Sequence, residues 1–191
     1  MRTLIALSVL SICLPSRARA DAAASFAVVK GESVITYHLV HKLHRFDGVS
    51  KSVEGKARVA ADGTAQVMVR VPVESFDSSN VNRDAHMKET VEAARYANVE
   101  LKAVGKPSLP AAPSYPLKVP VTFKAQINFH GVAQNFELPV ELTYESATRV
   151  RATAHFTVSL ESFKIDRPSL MFVKIDDGLT VDADVVFLGA A

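Results

Sequence analysis

The chain contains no tryptophan and one cysteine, Cys13. A lone thiol excludes a disulfide framework and any zinc site built on paired cysteines. The fold must therefore be held by a buried core, which a chain of this length can supply. Tyrosine is also scarce, with four in 191 residues. The aromatic girdles that mark an outer-membrane barrel are thus missing, and the chain closes on Leu188-Gly189-Ala190-Ala191 rather than on an aromatic. No G-x-S-x-G sequence occurs, and the carboxylates fall mostly at outward strand positions, so no nucleophile constellation stands out. The formal net charge is only +2, which leaves no nucleic-acid footprint. Neither an enzyme nor a cofactor is expected.

The first twenty residues read as a secretory leader. Arg2 gives a positive start, Leu4 to Leu14 an apolar core, and Ala18-Arg19-Ala20 a small-x-small cleavage site before Asp21. The apolar run is too short, and wrongly flanked, for a membrane span. Cys13 follows Ile12, where a lipidation site needs a small residue. Residues 1–20 are thus read as a signal peptide and 21–191 as one domain, periplasmic or secreted. Loss of Arg2, Arg17 and Arg19 takes the 22 basic residues to 19 against 20 acidic ones.

What the mature chain does have is alternation. From Leu117 to Phe129 every odd residue is apolar, and Lys118, Pro120, Thr122, Lys124, Gln126, Asn128 and His130 separate them. The pattern resumes at Phe136, Leu138, Val140, Leu142 and Tyr144. Period two at this length predicts an antiparallel hairpin with one dry face. Similar runs occupy Ile35–Leu39, Val67–Val73, Val99–Ala103, Val150–Leu160 and Leu179–Phe187, and Val53–Ala60 precedes an Asp62-Gly63 turn. About eight strands follow from this. Only Ser79–Tyr96 has helical spacing, through Met87, Val91 and Ala94. It predicts one or two short helices, with Asn82 the candidate cap.

Short helices leave the sheet's dry face uncovered, so the sheet must cover itself. Each long arm, at ~3.3 Å per residue, reaches ~43 Å. Strands of that reach coil, tilt and close into a barrel. The inward set includes Ala103, Ala125, Ala152, Ala154 and Ala183. A barrel of this size is either filled by side chains or hollow enough for one ligand, and the pattern alone fits both.

In this order the segments resemble the YceI-like family of exported polyisoprenoid-binding proteins. The resemblance runs through Tyr37-His38-Leu39-Val40-His41 with Gly48 and Gly55 at the expected turns, Ser75-Phe76-Asp77-Ser78, and Arg83-Asp84-Ala85-His86-Met87. It continues in Arg95-Tyr96-Ala97-Asn98, Phe129-His130-Gly131-Val132 and Ser162-Phe163-Lys164-Ile165. Departures fall at Lys42-Leu43, Thr90-Val91-Glu92-Ala93 and Asn135-Phe136, which marks a divergent member. The resemblance implies an all-β, lipocalin-like antiparallel barrel of about eight strands with one or two inserted helices. It also implies a long apolar ligand, namely a polyisoprenoid, a quinone or another lipid.

The residues expected to form the apolar wall are Met87, Phe123, Ile127, Phe129, Phe136, Leu138, Ala154, Phe156 and Val158. Arg83, Asp84 and His86 share one helical turn. They read either as a polar mouth for a head group or as a helix-start device that ties down a loop. His38, His41 and His44 recur at steps of three. On one strand His38 and His44 would share a face while His41 points away, so a metal site is not expected. Asp166, Asp176 and Asp177 read as turn chemistry. The leading reading is an exported soluble carrier or binder without stable membrane insertion, its dimerisation left open. The alternatives are a ligand-free interaction or stress module, an outer-membrane barrel, and a metal-binding protein. N-terminal sequencing of the exported protein should return Asp21 as the first residue; a chain beginning at Met1 contradicts the leader.

Overall fold

A computed structural model of the chain describes residues 23–41, 44–167, 169–170 and 173–189. The expected leader and its cleavage site lie outside the described residues. Twelve strands and one α-helix follow in order. They are β1 (Ala24–Val28), β2 (Val34–His41), β3 (His44–Ser50), β4 (Glu54–Val59) and β5 (Ala65–Pro72), then α1 (Val81–Thr90) and β6 (Asn98–Gly105). There follow β7 (Leu117–Phe129), β8 (Val132–Tyr144), β9 (Arg149–Ser159), the short pair β10 (Ser169–Leu170) and β11 (Val173–Lys174), and β12 (Gly178–Gly189).

Eight strands close an antiparallel barrel in the order β1-β4-β5-β6-β7-β8-β9-β12, with β12 returning to β1. The long hairpin carries the expected register. Ala125 faces Phe136, Phe123 faces Leu138, and Val119 faces Leu142. Phe123, Ala125, Ile127 and Phe129 are buried, while the residues between them are exposed. The arms meet at a two-residue turn, His130-Gly131, where both φ values are positive (50° and 71°). That geometry matches the right-handed twist of the arms.

β12 changes partners along its length. Phe187–Gly189 pair with β1, and Thr180–Asp184 pair with β2. β1 and β2 are therefore one closing edge, kinked at residues 29–33. Ser33 sits fully buried in the kink. Its hydroxyl accepts the Val186 N–H at 3.0 Å and donates to the Val29 carbonyl at 3.1 Å. Both backbone groups would otherwise be buried without partners. Past the kink the wall runs from β12 through β2 to β3, and Val49 bridges Asp77. Buried Ser50 is 2.7 Å from the Ser75 hydroxyl, which donates to the Pro72 carbonyl. The barrel thus closes through β1 in one half and through β3 in the other.

Three expectations shift. The helix cap is Asn80, not Asn82. Asn80 leaves helical geometry with φ −148°, and its side chain accepts the Arg83 N–H at 3.1 Å. Gly48 and Gly55 lie within β3 and β4 rather than at turns. A Cβ on Gly48 would lie 2.3 Å from the Tyr37 ring, so the glycine exists to let that ring cross the neighbouring strand. The histidine run is folded back on itself. His41 pairs with His44 across the hairpin, and His38 pairs with Asp47. His38 and His44 therefore sit on different strands. The turn loop reading holds for Asp177, which accepts the Glu161 N–H at 2.8 Å.

Ile127 is 6 % exposed, whereas Asn128 is exposed. Ile127→Asp buries an unpaired carboxylate and should cost at least about 4 kcal/mol. Asn128→Asp should stay within about 0.5 kcal/mol. Urea melts of the two variants check this register; equal losses would contradict it.

Candidate functional site

The barrel interior is neither filled nor open throughout. Two apolar chambers remain, of about 180 Å³ and about 120 Å³. The larger lies toward α1 and the smaller toward the opposite end. They share a waist formed by Val69, Leu101, Leu138, Ala154, Ala183 and Val185. The larger chamber presents an apolar lining throughout. Small side chains at the waist, the two alanines above all, keep the chambers apart by only a thin partition.

The crossover between β5 and β6 closes the larger chamber. No residue of α1 is fully buried. Met87 packs onto the core, and Val91 and Ala93 just after the helix complete the plug. Phe163 and Leu160, from the segment after β9, fill the floor beside Phe129, whose ring lies 5.5 Å from that of Phe163. His130, at the hairpin tip, is 3.0 Å from the Phe163 carbonyl through Nδ1 and 3.3 Å from Glu92 through Nε2, and its ring meets Tyr96 edge-on. The tip is thereby locked to the plug.

Met87, Ile127, Phe129, Phe156 and Val158 line the larger chamber, Phe123 lines the smaller, and Leu138 and Ala154 line both. Phe136 lines neither. Its ring stacks against Phe156 with centroids 5.5 Å apart and fills the wall between β8 and β9. The wall also uses Tyr37, Phe76 and Leu179, which sequence reasoning did not select. Tyr37 and Leu179 stand on alternating runs and were legible as inward residues. Phe76 follows a single 3-10 turn (Val73–Ser75), where no period announces its direction.

The polar trio behaves differently from a ring around an opening. Arg83 donates to the Ser78 hydroxyl at 2.8 Å and to the Ser78 carbonyl at 2.5 Å. Asp84 accepts the Ser78 N–H at 3.1 Å and also the Ser78 hydroxyl. The Arg83 guanidinium lies over the Phe46 ring at 4.9 Å. Both charges are engaged in pinning the loop before α1. His86 points away, mostly exposed, 3.5 Å from Glu89. Tyr37 stands between this cluster and the chamber. Burial, followed by the negative charge of Asp84, holds its hydroxyl above the usual phenol range.

On the outside, His38 lies between Asp47 (2.6 Å) and Asp182 (2.8 Å), and His155 lies 2.5 Å from Asp182. Hydrogen bonds from His155 and then His38 hold the Asp182 carboxyl below its usual range; His38 does the same for Asp47. His41 is buried, while His44 is exposed. Among the described residues, no three histidine, cysteine, aspartate or glutamate side chains converge as a metal site would require. No helix among them is long and apolar enough to cross a membrane.

If Arg83 and Asp84 act by holding Ser78, Arg83→Gln and Asp84→Asn should each cost about 1–3 kcal/mol, the range for charge-assisted bonds. His86→Ala should stay within about 0.5 kcal/mol. Chemical denaturation of the three variants separates the roles. Equal stability in all three would contradict the loop-pinning role.

The family model described as the YceI-like domain matches residues 21–187, and the chain belongs to that family. No curated protein matches it. Among solved structures it is similar to a polyisoprenoid binding domain from Saccharophagus degradans implicated in plant cell wall breakdown. The identity is 15 %, the match covers 86 % of this chain and 98 % of that one, and the TM-score is 0.71. It is also similar to Burkholderia cenocepacia BcnA, at 14 % identity, 83 % and 98 % coverage, and a TM-score of 0.67. A Campylobacter jejuni YCEI protein matches at 12 % identity, 80 % and 89 % coverage, and a TM-score of 0.59. At these identities the likeness establishes the shared fold.

Proposed function

We propose that this YceI-like barrel is an exported binding protein, not an enzyme, whose two chambers take the apolar tail of a polyisoprenoid, a prenylated quinone or another lipid. The observation that carries this reading is the pair of adjacent chambers with an apolar lining and no acid–base pair among their lining residues. Binding in such a space needs no charged partner. Each buried methylene contributes about 0.8 kcal/mol. The polyisoprenoid binding domain of the Saccharophagus structure shares the barrel, which supports the choice of ligand class. Export rests on the leader sequence.

The chamber volumes set the scale of the occupant. At roughly 30 Å³ per methylene-sized group, the liquid-volume share of one water, the two chambers together hold on the order of ten such groups. A tail that fills both must also displace side chains of the partition between them. A longer tail must displace Met87 or pass out of one end. A ligand-free stress module is the second reading. The two chambers count against it, because interiors of folded domains are packed to the density of organic crystals and leave few voids larger than a water.

Ala154 sits at the waist and lines both chambers. Ala154→Phe should place a ring in space the ligand occupies. Stability should fall by less than about 1 kcal/mol, against the 1–3 kcal/mol typical of overpacking a filled core. Titration with a fluorescent prenyl probe, alongside a urea melt, checks both quantities. The expected result is near-normal stability with binding abolished. A wild type that binds no apolar probe, with a clearly destabilised variant, would favour the ligand-free module.

A further inference from the structure

Charges on the outside of the barrel are mostly paired. Lys30 and Arg70 share Glu54, whose carboxyl they hold down to about 2. Lys118 meets Glu141, Arg149 meets Glu32 and Glu145, and Arg151 meets Glu145 and Asp184. The outer face of β4, β6 and β7 gathers several cations that are not paired. Lys56, Arg58, Lys102 and Lys124 stand there, and none has an ion pair among the described residues. The register puts them in two rows across the strands. One row runs Lys56, Met68, Lys102, Gln126; the next runs Arg58, Gln66, Val104, Lys124. The acids flanking the rows are Glu54, one register step from Lys56 and already engaged by Lys30 and Arg70, Glu100, one register step from Lys102 along the outer face, and Glu137, which faces Lys124 across the hairpin. None forms an ion pair with these cations. Lys102 and Lys124 are diagonal neighbours on adjacent strands, and Lys56 and Arg58 are successive outward residues of β4, so their like charges raise the energy of the isolated protein.

A second observation falls on the same end of the barrel. Five large apolar side chains are exposed among the described residues: Val81, Val104, Leu109, Tyr115 and Leu188. Val81 is on α1. Val104, Leu109 and Tyr115 lie toward the opposite end on the β6–β7 side, and Leu188 lies at that end across the barrel on β12. Val104 sits within the second cationic row, between Gln66 and Lys124, Leu109 and Tyr115 lie on the proline-rich loop 106–116 that leaves β6 just beyond it, and Leu188 pairs with Ala27 of β1. The smaller chamber ends here too, with Pro107 and Tyr144 in its lining. Aliphatic and tyrosine tips beside unpaired cations match the boundary between headgroups and acyl chains of an anionic bilayer.

We propose that the end of the barrel distal to α1 docks on the surface of an anionic phospholipid bilayer. Arg58, Lys102 and Lys124 face lipid phosphates, and Leu109 and Tyr115 enter the headgroup layer. Docking itself rests on the charge and exposure of this end. That the smaller chamber then faces the bilayer, as a route for the apolar ligand, rests on the binding function proposed above. The docking proposed is peripheral.

The test is flotation of the purified chain with vesicles of phosphatidylcholine alone or with about 30 mol % phosphatidylglycerol. Partition should require the anionic lipid and should fall steeply between about 50 mM and about 500 mM salt. Each cation removed should weaken it about fivefold. Arg58→Gln/Lys102→Gln/Lys124→Gln together should therefore lose about a hundredfold, and Leu109→Ser/Tyr115→Ser should also weaken it. Lys118→Gln, which removes a paired cation, should change it little. Retained thermal melting shows that the variants fold, and the salt response of the wild type tests the proposal without any variant. Equal partition onto neutral vesicles, or an unaffected triple variant, overturns it. Retention on heparin with no vesicle partition also overturns it and assigns the face to a soluble polyanion. Solution binding of a prenyl probe by the triple variant should be unchanged. Vesicle docking by an Ala154→Phe variant that binds no probe keeps the failure of one proposal distinct from that of the other.

Discussion

The structure depends on one constraint: a long sheet with a single dry face, and almost no helix to cover it. Among the described residues only α1 is available, and none of its residues is fully buried. The inward side chains of eight strands must therefore bury one another, which closes the sheet. Closure also removes the edges that would template aggregation. The two chambers follow from the same constraint. Closing eight strands fixes the interior width, and alanines at positions 103, 125, 152, 154 and 183 do not span it.

Closure is completed by small buried hydroxyls rather than by charges. Ser33 satisfies backbone groups where β1 breaks into β2, and Ser50 and Ser75 do so where β3 meets the crossover. Ser78 collects Arg83 and Asp84. Hydroxyls both donate and accept, so each can bridge two groups at a kink without carrying charge into the interior. The chambers are left apolar as a result, which is the property a tail-binding site needs.

The alternation from Leu117 to Tyr144 was legible because a period of two fixes face and register together, and a one-residue slip would reverse every side chain. The inward residues Phe123, Ile127 and Leu138 followed from it, and Ala154 from the similar run Val150–Leu160. Phe136 shares their parity yet faces Phe156 within the wall, because the chamber boundary depends on where β8 meets β9. Gly48 was misread as a turn, since the demand on it comes from Tyr37 across the hairpin. The position of His44 depended on the pairing of His41 with His44 across the β2–β3 hairpin, which the steps of three between the histidines do not announce. Asn80 and Asn82 are both competent caps, and only the backbone angles choose between them. Ser33 carried no signal at all, because a buried serine at a strand break looks like any loop serine.

The central claim is that the interior binds an apolar tail by volume and burial alone. The direct measurement is the affinity of prenyl alcohols of increasing length, titrated by isothermal calorimetry at fixed salt. With about 0.8 kcal/mol per methylene, affinity should rise about fourfold for each carbon buried. It should level off once the chambers are full, with the plateau length reporting the usable space. A negative heat-capacity change should accompany the rise. Affinity independent of chain length, or no binding at any length, would contradict a tail-binding chamber.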